Sequence, residues 1–189
     1  MAENTVQFGL SKCFYAKLTE TVGTGGTITY SYGTPVAMPG GVNLTLTQSG
    51  SLTPFYADNI VFYNSIANNG YEGDLELARV PDSFYKDILG YTETSTGKVL
   101  LENSATEPAA FALLYQINGD KSDECYVLYK VNAQRPNVGS STIADTKTPQ
   151  TMTISLSAIP RADGLVFGRT TDTTPTATKT AWFSSVYEE

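Results

Sequence analysis

Histidine is absent from this sequence of 189 residues, and only two cysteines occur. Without histidine the chain cannot form a Ser-His-Asp or Cys-His nucleophile pair, nor a zinc site that uses imidazole. Cys13 and Cys125 lie far apart and have no CxxC partner, so they predict buried, reduced thiols. Most familiar hydrolases and the small disulfide-rich secreted scaffolds are therefore excluded.

Charge and long apolar runs are also scarce. Charged residues make up 16% of the chain, 19 acidic against 12 basic, which gives a net charge of −7. The basic residues are scattered singly, so no basic stripe can neutralise the closely spaced phosphates of a DNA duplex. We expect no export signal, because the first residues are acidic and polar, and no apolar run approaches the roughly 20 residues of a membrane helix. We expect a single domain over residues 1–189, made in the cytoplasm, that does not bind a membrane.

The residues that are abundant favour β-structure. The chain has 26 Thr, 12 Tyr and 8 Phe, and β-branched and aromatic residues are enriched in strands. Pro81, Asp82 and Gly90 predict one helix over residues 81–89. Alternation of apolar and polar residues predicts strands at residues 13–19, 27–32, 42–48, 59–64, 73–78, 111–118, 126–133 and 151–159.

Three carboxylates alternate with apolar or small residues in one of these strands. Glu72, Asp74 and Glu76 share a face, and adjacent members lie about 6.7 Å apart, inside the range used by inverting glycosidases. The same pattern is typical of the solvated face of a half-buried antiparallel strand. A third interpretation is an acidic stripe that lines a water-filled channel and repels phosphates.

Other candidate sites are weaker. Asp120, Asp123 and Glu124 cluster around a turn but lack the spacing of a calcium loop, and no phosphate-binding loop or nucleophile-elbow motif occurs. We therefore expect no catalytic residue, no metal site and no cofactor. Residues 170–180 are rich in Thr and precede three large aromatic side chains, which need a surface to cover them and could find it on a neighbouring subunit.

Two consecutive segments carry a specific pattern: residues 68–78 (NNGYEGDLELA) and 80–90 (VPDSFYKDILG). Further segments follow in a fixed order along the chain: FGL at 8–10, GVNL at 41–44, PFYADN at 54–59, FALLY at 111–115, NGDK at 118–121, VLY at 127–129 and RP at 135–136. In this order they resemble the major tail proteins of siphophages, which build the tail tube. The resemblance covers almost the whole chain and is weakest at residues 138–149 and after Arg169.

The resemblance implies a mostly β fold: two packed antiparallel sheets, as a sandwich or partly open barrel, flanked by one α-helix. Some members of the family append a C-terminal immunoglobulin-like decoration domain, and we expect none in this chain. It implies a structural virion protein, without enzymatic activity, whose hexameric rings stack into the hollow tail tube of a phage with a long, non-contractile tail. The tube is the conduit for DNA ejection. Implied partners are further copies of the chain, a tape measure protein, a distal tail protein and a tail terminator, with viral DNA passing through the lumen without specific binding.

Three surfaces follow as expectations. The acidic stripe of Glu72, Asp74 and Glu76 would face the lumen, and residues 170–189 would form an extended C-terminal arm anchored by Trp182, Phe183 and Tyr187. A projecting hairpin or loop between rings would contain Gly50, Ser51, Thr53, Pro54, Phe55, Tyr56 and Asp58. Two alternatives from other classes remain open: a β-sandwich carbohydrate-binding module with an exposed aromatic platform, and a small acid-pair hydrolase.

Overall fold

The computed structural model describes residues 6–119, 123–142 and 149–188. Its two helices are α1 (Asp82–Asp87) and α2 (Thr176–Ala181). The strands are β1 (Gln7–Val22), β2 (Ile28–Tyr32), β3 (Val36–Ala37), β4 (Gly41–Ser49), β5 (Leu52–Ala57), β6 (Ile60–Ile66), β7 (Gly70–Leu77), β8 (Thr92–Glu93), β9 (Leu100–Leu101), β10 (Phe111–Gly119), β11 (Glu124–Ala133), β12 (Met152–Ala158) and β13 (Phe167–Arg169).

Nine strands form one large antiparallel sheet, which confirms the mostly β class. Its main path runs β2-β1-β10-β11-β12-β7-β4, with β3 beside β1 and β13 beside β11. The sheet curves so strongly that β4 comes close to β1. A methyl group at Gly41 on β4 would lie 3.0 Å from the Leu10 Cδ2 atom on β1. Among the described residues no strand pairing joins β4 to β1, so the sheet approaches a barrel without closing. The strand pairs β5-β6 and β8-β9 form two small separate sheets.

The central strands β10 and β11 are buried on both faces. Alternate residues of β10 therefore enter different cores: Leu113 lies in the main core with the side chain of Phe84, whereas Leu114 lies in a second core with that of Trp182. Near-continuous apolar runs such as FALLY are typical of strands covered on both sides. The sheet is consequently enclosed by α1 on one face and by the C-terminal segment on the other.

Helix α1 confirms the helix expected over residues 81–89. Phe84 is fully buried, and its ring makes edge-to-face contacts with Tyr15 at 5.2 Å and Phe111 at 5.4 Å. Pro81 stands at the N-cap, one position before the first turn where it was expected. Gly90 adopts φ 74°, the left-handed conformation that ends the helical run. Neither described helix is long enough to cross a membrane.

Strands β4 to β7 form one long hairpin that leaves the sheet. Ser49 and Gly70 are the last paired residues of β4 and β7, and the ladder then continues outward through a hydrogen bond from the Ala67 N–H to the Ser51 carbonyl. The tip residues Asp58 and Asn59 have φ values of 52° and 60°, as a two-residue type I′ turn requires. The outer half, about nine residues a side, extends roughly 25–30 Å at the rise of a strand.

Candidate functional site

The outer half of the long hairpin, residues 50–69, is termed the projecting hairpin. Asp58 is its one charged residue, and every residue of β6 is exposed. Its eight large apolar or aromatic side chains are between 47% and 72% exposed: Leu52, Phe55, Tyr56, Ile60, Val61, Phe62, Tyr63 and Ile66. An apolar surface of this extent marks an interaction site in a soluble protein.

Both faces of the projecting hairpin are apolar. Leu52 pairs with Ile66, and Phe55 pairs with Tyr63. Because side chains alternate along a strand, positions 52 and 55 lie on opposite faces, and so do their partners. A two-stranded hairpin is marginally stable in water by itself, and the apolar side chains on both faces of this one are exposed.

The structure places the predicted inter-ring residues in this hairpin. Thr53, Pro54, Phe55 and Tyr56 lie in β5, Gly50 and Ser51 precede it, and Asp58 is in the tip turn. The returning strand β6, which was predicted from residue 59 only as one strand among others, supplies the other half of the apolar surface. The sequence did not indicate that the two strands pair with each other outside the main sheet.

Glu72, Asp74 and Glu76 lie on the outward face of β7, between β4 and β12. The antiparallel register aligns polar residues on both sides of this acidic row. We call the nine residues the acidic face: Asn43, Thr45 and Thr47 on β4, Glu72, Asp74 and Glu76 on β7, and Thr153, Ser155 and Ser157 on β12. The alternate residues of β12, such as Ile154, point into the main core.

Hydroxyl groups donate hydrogen bonds to two of the three carboxylates, Asp74 and Glu76. Ser155 Oγ donates to Asp74 Oδ1 at 2.7 Å, and Thr151 Oγ1 donates to a Glu76 carboxylate oxygen. Within the described residues, no Lys or Arg forms an ion pair with Glu72, Asp74 or Glu76. Glu72 and Asp74 are exposed on this outward face of the sheet.

The C-terminal segment packs on its own sheet, so the expectation of an extended arm is wrong. Trp182 is 4% exposed, stacks on Tyr187 at 5.7 Å, and donates its indole N–H to the Tyr126 carbonyl oxygen at 3.2 Å. Phe183 contacts the ring of Phe14 at 4.9 Å. The chain's own second core covers Trp182 and Phe183, whereas Tyr187 stacks on Trp182 and stays 45% exposed. Buried Trp182 is also unavailable as part of a sugar-binding platform.

A buried arginine, which the sequence analysis missed, fixes the end of this segment. The Arg161 guanidinium lies 4.0 Å from the centre of the Tyr30 ring and donates to Glu188 at 2.7 Å and to Asp163 at 2.6 Å. Burial alone would lower the pKa of Arg161, but hydrogen bonds to Glu188, the Tyr32 hydroxyl and Asp163 raise it above its ordinary value. The cation therefore stays charged and holds Glu188 against β2.

The region of the weak calcium candidate is partly described. The Asp123 carboxylate accepts a hydrogen bond from the Gln116 side chain at 2.6 Å. Asp120 lies outside the described residues. In the part of the chain that the structure covers, no three His, Cys, Asp or Glu side chains are grouped to hold a metal ion.

Comparison with known proteins adds no relative. No protein-family model matches this chain, and no curated protein sequence matches it. The projecting hairpin, the acidic face and the docked C-terminal segment are the structural features that bear on its function.

Proposed function

We propose that this protein is a structural subunit that assembles with copies of itself into a hollow tube, the tail tube of a siphophage. The observation that carries the proposal is the projecting hairpin, which exposes apolar side chains on both faces. Such a surface is covered in the functional state of a protein, and self-assembly covers it without any further component. The assignment to a phage tail, and thus to the virion, comes from the sequence resemblance at residues 68–78 and 80–90.

Assembly geometry follows from the asymmetry of the surfaces. A hairpin that docks on a different surface of the next subunit makes a heterologous contact, and repetition of that contact produces an open-ended stack. The outer edge of β4 pairs with no strand in the described part of the chain, so it offers backbone hydrogen bonds to a lateral neighbour. Lateral contacts would close hexameric rings, and hairpin contacts would stack them.

The acidic face is the proposed wall of the lumen. At about 0.1 M salt the field of its carboxylates persists over roughly 10 Å, which discourages DNA phosphates from adhering to a narrow wall. The other six residues of the acidic face, on β4 and β12, have uncharged hydroxyl or amide side chains. DNA would therefore pass without specific binding, while the tape measure, distal tail and terminator proteins set the length and ends of the tube.

The test is assembly of the purified protein, followed by light scattering and negative-stain electron microscopy over a series of protein and salt concentrations. We expect tubes, and we expect added salt to promote them because copies of net charge −7 repel one another. The matched variant replaces residues 50–69 with Asn-Gly, a two-residue turn that can join the paired residues Ser49 and Gly70. This variant should fold and remain monomeric.

Two results would contradict the proposal. The first is a wild-type protein that stays monodisperse at every concentration and salt level tested. The second is assembly of the variant that lacks the projecting hairpin as readily as the wild type. A change in intrinsic fluorescence on titration with sugars, without self-assembly, would instead favour the carbohydrate-binding alternative.

A further inference from the structure

A groove of about 490 Å³, lined by apolar side chains together with Gln7 and Asn43, lies where the large sheet fails to close, between the first residues of β1 and those of β4. The two strands come together at Gly41, where a methyl group would approach the Cys13 sulfur to 3.3 Å. Beyond that point they separate, and the groove opens between them. Its apolar lining includes Phe8, Leu10, Val42, Leu44, Tyr115 and Ile117.

The groove is open to solvent and carries no charge. Phe8 is 72% exposed and Val42 is 53% exposed, although both belong to strands of the main sheet. None of the residues that line the groove is charged. Residues 7–12 of β1 pair with β10 on one side, and no described strand pairs with their other edge. The groove therefore combines apolar side chains with free strand edges.

We propose that this groove receives the projecting hairpin of a second copy of the chain. The inference rests on the proposed function and specifies which surface the hairpin occupies. Since a cavity of about 150 Å³ holds benzene, the groove has room for roughly three aromatic rings. The tip half of the hairpin supplies Phe55, Tyr56, Phe62 and Tyr63, all of them exposed.

Area and charge agree with this occupant. The eight exposed apolar side chains of the hairpin present roughly 800–1,000 Å², judged from aromatic side chains that can each bury about 150–250 Å². A stable interface of ordinary size buries about 800 Å² per partner, so the hairpin has enough exposed apolar area for one. The groove holds about three of the rings, and the surface around it would have to cover the rest of the hairpin. Two copies that each carry a net charge of −7 repel each other, so contact is easiest where the surfaces carry little charge. The groove has no charged residue in its lining, and the hairpin has only Asp58.

The test cross-links two variants, each with one added cysteine, across the proposed contact. Val61→Cys places a thiol near the hairpin tip, and Val42→Cys places one in the groove; both valines are about half exposed, at 47% and 53%. The two proteins are mixed, assembled and treated with a short bismaleimide. Val99→Cys, on a loop away from the groove and also 53% exposed, replaces Val42→Cys in the control mixture. The buried native thiols of Cys13 and Cys125 should not react in the wild type.

We expect a covalent dimer in the Val61→Cys and Val42→Cys mixture, at several-fold higher yield than in the control mixture. Tubes that form with equal or no cross-linking at Val42→Cys would overturn the groove assignment and leave the proposed function intact. Absence of any assembly by the wild type would overturn both. As a second measurement, Val42→Lys should prevent assembly and Val99→Lys should permit it; the reverse result would overturn the groove assignment.

Discussion

Substitution of Trp182 by alanine tests whether the C-terminal segment is part of the folded domain. The indole is 4% exposed, packs in the second core and donates to the Tyr126 carbonyl. Burial of about 150–250 Å² at about 25 cal/mol per Å² corresponds to roughly 4–6 kcal/mol. Truncation of a buried aromatic residue to alanine costs about 3–5 kcal/mol in measured cases. We expect Trp182→Ala to lower the free energy of unfolding by about 3–5 kcal/mol.

The assay is equilibrium unfolding in urea, with the midpoint and the slope compared between variants. Trp182→Phe retains most of the packing and removes the N–H donor, so it should cost less than Trp182→Ala. Val138→Ala is the surface control, because Val138 is 91% exposed. A change below about 0.5 kcal/mol for Trp182→Ala, which is typical of a surface substitution, would refute the docked arrangement and restore the extended arm.

Two further predictions concern the main sheet. Burial raises the pKa of the Cys13 thiol from 9.0 to about 12, so the folded state keeps a proton that the unfolded state releases. The contribution of this thiol to the free energy of unfolding is complete below pH 9 and declines as the pH rises toward 12, by up to about 1.4 kcal/mol per pH unit. Urea unfolding should show this extra decline in the wild type but not in Cys13→Ala. A methyl group at Gly73 would lie 1.8 Å from the Thr45 carbonyl oxygen, whereas one at Gly9 would meet nothing within 4 Å. Gly73→Ala should therefore lose about 3 kcal/mol of unfolding free energy and Gly9→Ala far less, and equal melting temperatures would contradict the close approach of β4 to β7.

Local pattern was sufficient for much of the fold. Period-two alternation located all eight of the predicted strands, with ends shifted by a few residues, as at β4 (42–48 expected, Gly41–Ser49 observed). Pro81 and Gly90 bounded α1 because their backbone preferences act locally. Five observed strands were not among the eight. The strands β3, β8, β9 and β13 have only two or three residues, which carry no measurable period, and β5 (Leu52–Ala57) was expected only as part of a hairpin or loop. Helix α2 was missed because its Thr-rich sequence has low helix propensity and is held by its position beside the second core.

The surfaces were less predictable, because they depend on contacts between distant residues. The alternation of Glu72, Asp74 and Glu76 placed them on one face, but the polar rows of β4 and β12 beside them arise only from strand order. The sequence indicates that the large Trp182 ring must be covered, but it does not indicate which surface covers it. The partnership of Arg161 with Tyr30 and Glu188 joins residues far apart in the chain, and no local pattern marks it.

The sequence by itself determined the class of this protein: threonine and aromatic residues in alternating runs commit it to β-structure, and the lack of histidine removes the commonest catalytic chemistry. Alternation and turn residues act over a few positions, so this information is available without folding. Tertiary structure decided which surfaces remain uncovered. In the observed strand order β4 does not pair with β1, and residues 50–69 extend beyond the edge of the main sheet. The C-terminal segment covers the second core, a surface that a neighbouring subunit could otherwise have occupied.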